Sequence, residues 1–539
     1  MSVRLESPPR PAGVGMTTRA SSAWAALAGV VSVAAFLASA EAVAWVTGAG
    51  GSPLFGVGSA AIDLAPAAVK NLMVSLFGTG DKVALFVLMG VLLVAITAGA
   101  GVLEHRRPPG GKIVFGIGGV VALVAVLTRA DSTSLDGAPT AVGTVVSLVV
   151  LSALMTRLHR WEASTEPGWA AATVPEPPLR GPGLERRGFL VMAIAVGAAS
   201  VVVGTGARLV NATRANVGAL RDALTLPAPA QAAPAVPAGA SLDVEGITPY
   251  VTPNADFYRI DTALQVPSID PAEWSLRIHG LVDREIEISF DELLALPLEE
   301  HYATLSCVSN EVGGDLIGTA LWLGYPIRAL LERAGPQSGA DMVLSTSSDG
   351  FTAGTPLSVL VDDGTDAILA VGMNGEPLPQ QHGFPVRMVV PGLFGYVSAT
   401  KWVVDLEVTR FADTEGYWTP RGWDALGPVK LESRIDTPKA GASVDAGRVP
   451  IAGVAWHPHT GVSGVEVRID GGAWVAAELA ESVSADTWVQ WVHRWDATPG
   501  DHTVQVRATG ADGVTQSETP LPPAPNGAEG WDEHTITVR

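Results

Sequence analysis

The chain has 539 residues, of which 47% are hydrophobic and only 16% charged. It is too long for one ordinary domain and too apolar to be wholly soluble. Its formal net charge of −20 is unevenly placed, with residues 1–210 summing to +4 and residues 211–539 to −24. An acidic C-terminal half suits a soluble surface outside a membrane and argues against a nucleic-acid partner.

Five stretches are long and apolar enough to cross a bilayer, about residues 22–46, 82–103, 112–127, 138–158 and 188–210. Residues 53–77 are apolar but interrupted by Asp63, Pro66 and Lys70. They read as an amphipathic segment lying on the outer surface; a sixth span there would put the C-terminal half in the cytoplasm. Loop charge arbitrates. Arg4, Arg10 and Arg19 precede the first span, and Arg106, Arg107 and Lys112 join the second to the third. Arg157, Arg160, Arg180, Arg186 and Arg187 join the fourth to the fifth. The positive-inside rule then places the N-terminus in the cytoplasm and residues 211–539 outside. Glu41 is the one clear acid within a span, near its outer end, where it is either functional or snorkels.

The organisation expected is a cytoplasmic tail (1–21), a four-span module (22–160), a cytoplasmic loop (161–187) and a fifth span (188–210). A Pro/Ala-rich linker (211–244), an α+β domain (245–430) and an all-β domain (431–539) follow. Glu185-Arg186-Arg187-Gly188-Phe189-Leu190 opens the fifth span. It reads as a twin-arginine export signal or as two ordinary cytoplasmic arginines. Residues 224–239 are a low-complexity Pro/Ala run, expected to be an extended spacer off the membrane.

Within 245–430, residues 275–280 read as a strand, and residues 290–296 and 326–334 as helices. The segment also holds the chain's single cysteine, Cys307. One cysteine makes no intramolecular disulfide and no CxxC site. Its thiolate is either a buried small hydrophobe or one ligand to a metal whose other ligands come from a cofactor.

Cys307 lies in Ser306-Cys307-Val308-Ser309-Asn310-Glu311-Val312-Gly313-Gly314. Before it stands Thr252-Pro253-Asn254-Ala255-Asp256-Phe257-Tyr258-Arg259-Ile260-Asp261. After it come Leu321-Trp322-Leu323-Gly324-Tyr325-Pro326-Ile327, Met373-Asn374-Gly375-Glu376-Pro377, His382-Gly383-Phe384-Pro385-Val386-Arg387, Val390-Pro391-Gly392 and Gly395-Tyr396-Val397-Ser398-Ala399-Thr400-Lys401-Trp402. In order and spacing these runs resemble the sulfite oxidase family of molybdopterin enzymes, over roughly residues 245–539.

The resemblance implies an α+β cofactor domain and a molybdenum–molybdopterin cofactor with Cys307 as metal ligand. It also implies oxygen-atom transfer as the metal cycles between Mo(VI) and Mo(IV). Residues 252–261 match a leading strand that approaches the cofactor, on which Tyr258 and Arg259 flank the metal face; for Tyr258 the alternative is an aromatic core residue. An anionic pterin phosphate needs cations and hydroxyls. Arg387, Ser398, Thr400 and Lys401 stand where the family supplies them, and His382 where it places a polar residue. Gly392 and Gly395 allow a close backbone approach. Ser347 and Ser348 are further pterin contacts, or parts of a Ser-Asp-Gly turn. A cofactor inserted in the cytoplasm requires folded cargo, which favours the twin-arginine reading. Two departures stand out. The cation-bearing stretch after the metal cysteine is Asn310-Glu311-Val312 here, and Trp423 takes the place of an active-site tyrosine. Both turn the expectation from sulfite toward sulfoxides or other oxo compounds.

From about Leu431 the pattern is all-β, with strands expected at 449–456, 465–469, 473–477, 487–495 and 503–508. Turns are expected at Asp470-Gly471-Gly472 and Ala511-Asp512-Gly513. This predicts an immunoglobulin-like sandwich, and its start resembles the family's dimerisation domain, which implies a homodimer. His457 and His459 read as an exposed loop. There is no CxxCH run and no histidine inside a span, so the chain shows no electron carrier beyond molybdenum. Electrons must pass to a separate protein carrier or a quinone. The rival readings are a cofactor-free scaffold and a membrane sensor or transporter.

Overall fold

The computed structural model describes residues 17–47, 52–65, 69, 81–128, 134–165, 182–214, 217–263 and 266–539. The chain divides into two compact units, Met1–Arg214 and Ala215–Arg539.

The first unit is helical. Its long helices are α1 (Thr18–Thr47), α3 (Asp81–Arg106), α4 (Gly110–Leu127), α5 (Gly137–Thr165) and α6 (Pro182–Arg214), with the short α2 (Pro53–Leu64) between the first two. The five long helices are apolar and long enough to cross a membrane. Their outer faces expose Val87, Val91, Ile117, Val145 and Ile194, as side chains meant for lipid do. Small residues bring the backbones together. A Cβ on Gly29 would strike the Thr97 carbonyl and one on Gly101 the Ala25 carbonyl, so α1 and α3 cross where neither has a side chain. Trp24, Trp161 and Phe189 pack mutually at one end, with Arg186 over the Trp161 ring. Glu41 is buried and accepts the Ser52 hydroxyl at 2.7 Å, so it is held inside the bundle and does not snorkel. Of residues 53–77, α2 packs on α4, where a Cβ on Gly56 would touch Val126; most of 66–77 lies outside the described residues.

The second unit opens with α7 (Val217–Ala223). The Pro/Ala run that follows does not stand off as a spacer. Ala230 N donates to Leu298 O, Gln231 pairs with Glu299, and Leu224 and Leu226 pack on the core. The proline-rich segment loses little entropy on ordering, which makes such docking inexpensive.

The α+β domain contains β1 (Ser275–Gly280), β2 (Ile286–Ser289), α8 (Phe290–Leu294), β3 (Glu299–Ser306), β4 (Ile317–Pro326), α9 (Ile327–Ala334), β5 (Met342–Ser347) and β6 (Thr352–Pro356). It continues through α10 (Leu357–Val361), β7 (Ile368–Met373), β8 (Glu376–Pro377), β9 (Arg387–Val389) and β10 (Val403–Thr409). Ser289 starts α8 with a reciprocal cap to Glu292, and Gly335 ends α9 in the left-handed region at φ 70°. One sheet runs β2-β1-β10-β5-β6; the other runs β3-β4-β7-β8, with β9 also on β7. Leu276, Ile278, Val343 and Leu406 of the first sheet meet Leu323, Leu369 and Val371 of the second in one core, with α9 packed against it. Trp322, Ala370 and Phe384 bury the far face of the second sheet.

The last domain is a two-sheet sandwich, as the alternation predicts. Strands β11 (Glu432–Thr437), β12 (Ser443–Val444), β13 (Gly447–Trp456), β14 (Val462–Ile469), β15 (Val475–Ala476), β16 (Glu478–Leu479), β17 (Val489–Ala497), β18 (Gly500–Gly510) and β19 (Asp532–Val538) form sheets β11-β13-β17-β16 and β12-β19-β18-β14-β15. The turn between β14 and β15 holds Asp470 and Gly471 at φ 51° and 67°, the conformation the Asp-Gly pair favours. His459 is exposed, as expected, and is also held in place: its Nε2 lies 3.1 Å from Pro391 O and its Nδ1 3.0 Å from an Asp486 carboxylate oxygen.

Candidate functional site

Strand β3 delivers the chain to Cys307 and β4 takes it away. The intervening loop is folded on itself. Cys307 N donates to Leu316 O, Asn310 N to Cys307 O, and Leu316 N to the Asn310 side chain at 2.8 Å. Gly313 has φ 73°, and a Cβ there would run into the Asp532 carboxylate, so this turn admits only glycine. Cys307 is partly accessible. Desolvation raises its thiol pKa; hydrogen bonds from the backbone and hydroxyl of Ser309, and the charge on Lys401, pull the other way.

Arg387 and Lys401 come from opposite sides of one isolated β-bridge, with Met388 N donating to Thr400 O beside it. Arg387 is buried. Its Nε and Nη1 donate to Met388 O and His382 O, and its guanidinium lies 5.0 Å from the Trp322 ring centroid. Burial lowers its pKa to about 10. Lys401 Nζ bonds Asp261 Oδ2 at 2.8 Å and Gln381 O at 3.2 Å. Burial brings its pKa down to about 8; Asp261 opposes that shift, and Arg387 and Arg259 add to it. Arg259 Nε shares the same Asp261 oxygen at 3.0 Å and is the more exposed cation.

Residues 252–261, expected as a strand, form an irregular loop with a turn. Asn374 fastens it: the side-chain amide donates to Thr252 O and Asn254 Oδ1, while its own oxygen accepts from Leu321 N. The loop delivers Phe257 and Tyr258, stacked at 5.2 Å between centroids, with Phe257 edge-on to Trp322 and to His382. Burial holds the Tyr258 hydroxyl protonated far above neutral pH, and a Cys307 thiolate pushes it the same way. His382 is buried with Nε2 3.2 Å from Asn254 O; a carbonyl only accepts, so Nε2 carries the proton and Nδ1 is an acceptor in the neutral ring. Desolvation and the Arg387 charge lower its pKa to about 4, so it is neutral at neutral pH.

Other expected residues lie elsewhere or are committed. The Ser398 hydroxyl donates to Phe394 O, and Thr400 Oγ1 pairs with Ser345 Oγ at 2.7 Å; both residues are fully buried structural contacts. Ser347 Oγ accepts from Asp349 N inside the turn. Its neighbour differs: Ser348 N donates to Trp402 O, one residue past Lys401, while Ser348 Oγ is buried without a partner. Gly392 is needed for φ 82° and for the His459 ring above it. Trp423 belongs to a buried apolar cluster with Tyr396, Phe394 and Val308, the residue after Cys307. Glu311 lines a small cavity at the sandwich seam with Asn310, Lys430 and Glu432. It belongs to that seam, not to the Arg387–Lys401 set.

The donor set fits an anionic cofactor. Two cations, Arg259 and Lys401, share one carboxylate, Asp261, with the buried guanidinium of Arg387, a neutral His382 and an unpartnered serine hydroxyl beside them. Arg259, Asp261 and Ser309 were in the quoted runs, but nothing local marked Asp261 or Ser309 as partners of Lys401 and Cys307. Their signal is tertiary.

Residues 263–418 match the model of the oxidoreductase molybdopterin binding domain, and residues 432–506 that of a bacterial Ig domain. Mitochondrial sulfite oxidase of Mus musculus is 32% identical over 43% of this chain and 49% of its own. The uncharacterized oxidoreductase YuiH of Bacillus subtilis is 32% identical over 29% of this chain and 76% of its own. The chain belongs to the sulfite oxidase family of molybdopterin oxidoreductases. It spans about half the length of the animal sulfite oxidases it matches. The sulfane dehydrogenase SoxCD from Paracoccus pantotrophus aligns at 21% identity over 55% of this chain and 85% of that one, with a TM-score of 0.46. The chain thus carries an N-terminal region of five apolar helices, a molybdopterin-binding domain, which implies molybdopterin as cofactor, and a C-terminal Ig-like domain.

Proposed function

We propose that the chain is a membrane-anchored, extracytoplasmic oxidoreductase that moves an oxygen atom to or from a small oxo compound of the sulfite or sulfoxide kind. The observation that carries this reading is the convergence of Cys307, Tyr258, Arg387 and Lys401, drawn from four separate chain segments.

Cys307 Sγ would hold the molybdenum, with Ser309 donating to the sulfur and so opposing the desolvation that raises the thiol pKa. Arg387, Lys401 and Ser348 Oγ would hold the anionic pterin, and Asp261 keeps Arg259 and Lys401 aimed and separated. When bound, the cofactor supplies a two-electron redox change and the place of oxygen exchange. Tyr258 Oη keeps its proton and can donate to a developing oxyanion, and Arg259, at the accessible side, can orient substrate. The segment after Cys307 supplies no cation, which favours uncharged oxo compounds over sulfite.

Loop charge supports a cytoplasmic N-terminus and an outer catalytic domain, and Arg186-Arg187 supports folded export. Electrons pass to a separate carrier or a quinone. Four spans beyond the one needed for anchoring suggest docking of that partner, which deletion of residues 1–180 tests. A homodimer through residues 431–539 rests on the family resemblance. The deciding experiment measures molybdenum and pterin per chain in detergent-purified protein, then turnover of sulfite and sulfoxides. About one of each per chain, with all turnover lost in Cys307→Ser, is expected. Cofactor-free protein from a competent host overturns the reading.

A further inference from the structure

We propose that His105, His159 and Glu162 form a binding site for a first-row divalent cation of the Zn2+ type, at one end of the helical region and independent of the molybdopterin site. His105 is the next-to-last residue of α3. His159 and Glu162 lie three residues apart on α5, so they share one face of that helix. His105 Nδ1 is 3.2 Å from His159 Nε2, and His105 Nε2 is 3.4 Å from Glu162 Oε1. One ligand atom from each of the three residues lies within 4.8 Å of the others.

These lengths have a meaning. Two ligands each about 2.0 Å from a tetrahedral zinc stand roughly 3.3 Å apart, which is the His105–His159 separation. The two rings are nearly parallel, 26° apart with centroids at 5.2 Å, so a flat macrocycle does not fit between them. A single ion beside them does. The chemistry of the set, two imidazoles and one carboxylate, suits zinc and its first-row neighbours better than calcium or magnesium. Side-chain exposures of 16% for His105 and 23% for Glu162 leave the set shielded yet reachable, and His159 is exposed, so a fourth position is open to water.

Three basic residues near the cluster are turned to other partners. Arg106 donates to Ser22 Oγ, Arg157 to Gly188 O, and Lys112 pairs with Glu104. Glu162 supplies the negative charge, and a bound ion would tie α3 to α5 at their ends.

The test uses full-length, detergent-purified protein without a polyhistidine tag, stripped with EDTA and titrated with Zn2+ against a competing chelator dye. One Zn2+ per chain is expected at this site, weakened more than about tenfold in each of His105→Ala, His159→Ala and Glu162→Gln. Co2+ in place of Zn2+ should give the visible absorption of a tetrahedral site, lost in the same variants. Glu162→Gln keeps the size and shape of the side chain, and helix content and molybdenum per chain check its folding. Wild-type protein that takes up no Zn2+ overturns the proposal, as does a folded Glu162→Gln that binds Zn2+ as the wild type does.

Discussion

Lys401 Nζ lies 2.8 Å from Asp261 Oδ2, and the same oxygen accepts from Arg259 Nε at 3.0 Å. Both Asp261 and Lys401 are largely buried, with 4% and 10% side-chain exposure. Removing one partner of such a pair leaves an uncompensated charge and costs about 3–5 kcal/mol. Asp261→Asn is therefore expected to lower the thermal midpoint and to lose molybdenum on gel filtration. Metal analysis and calorimetry on one preparation check both.

The Lys401 pKa of about 8 gives a pH dependence with a definite sign. Its folded value lies below the unfolded one, so the fold disfavours the charged form. The cofactor-free protein gains stability as pH rises from about 8 toward 10.5. Anion binding works the other way, since it needs the ammonium. Phosphate affinity of the cofactor-free site should fall as pH passes about 8, with proton uptake on binding. Calorimetry in buffers of different ionisation enthalpy measures that uptake, and Lys401→Met should abolish it.

Ser309 offers Cys307 two hydrogen bonds, one from its backbone and one from its hydroxyl. A hydrogen bond to a charged group stabilises the charged form. Ser309→Ala removes the hydroxyl donor and should raise the thiol pKa of cofactor-free protein further. The pH profile of Cys307 alkylation reads this directly.

Arg434 ties the sandwich to the cysteine loop. Its Nε bonds Asp436 at 2.8 Å, Nη1 donates to Gly314 O and Nη2 to Thr248 Oγ1. Arg434→Met should cost about 3–5 kcal/mol and loosen the Cys307 loop, seen as faster alkylation. The exposed Arg494–Glu478 pair is the control, and Arg494→Met should change stability by less than about 1 kcal/mol.

Elements with their own periodicity or punctuation were legible in the sequence. The five apolar helices, strand 275–280 and the Asp470-Gly471 turn all appear where the residue pattern puts them. The cofactor residues divide differently. Cys307, Arg387, Lys401, His382 and Tyr258 do converge. The hydroxyls of Ser398 and Thr400 are turned to partners within the domain, Phe394 O and Ser345 Oγ. A hydroxyl's direction depends on which backbone carbonyl folds against it, and spacing along the chain carries no such information. The docked Pro/Ala run was missed for the same reason: its partners, Leu298 and Glu299, lie about seventy residues away, beyond any local pattern.

The seam between the last two domains bears on how such chains can be recombined. Thr304, three residues before Cys307, donates its N–H to Asp486 O and receives Trp488 N on its hydroxyl. The indole of Trp488 in turn bonds Tyr250 O. The strand carrying the cysteine is thus completed by a neighbouring module. A foreign sandwich grafted at residue 431 would strand these polar groups in an apolar seam. The pair is therefore a single heritable block, and domain shuffling that separates the two should yield insoluble halves.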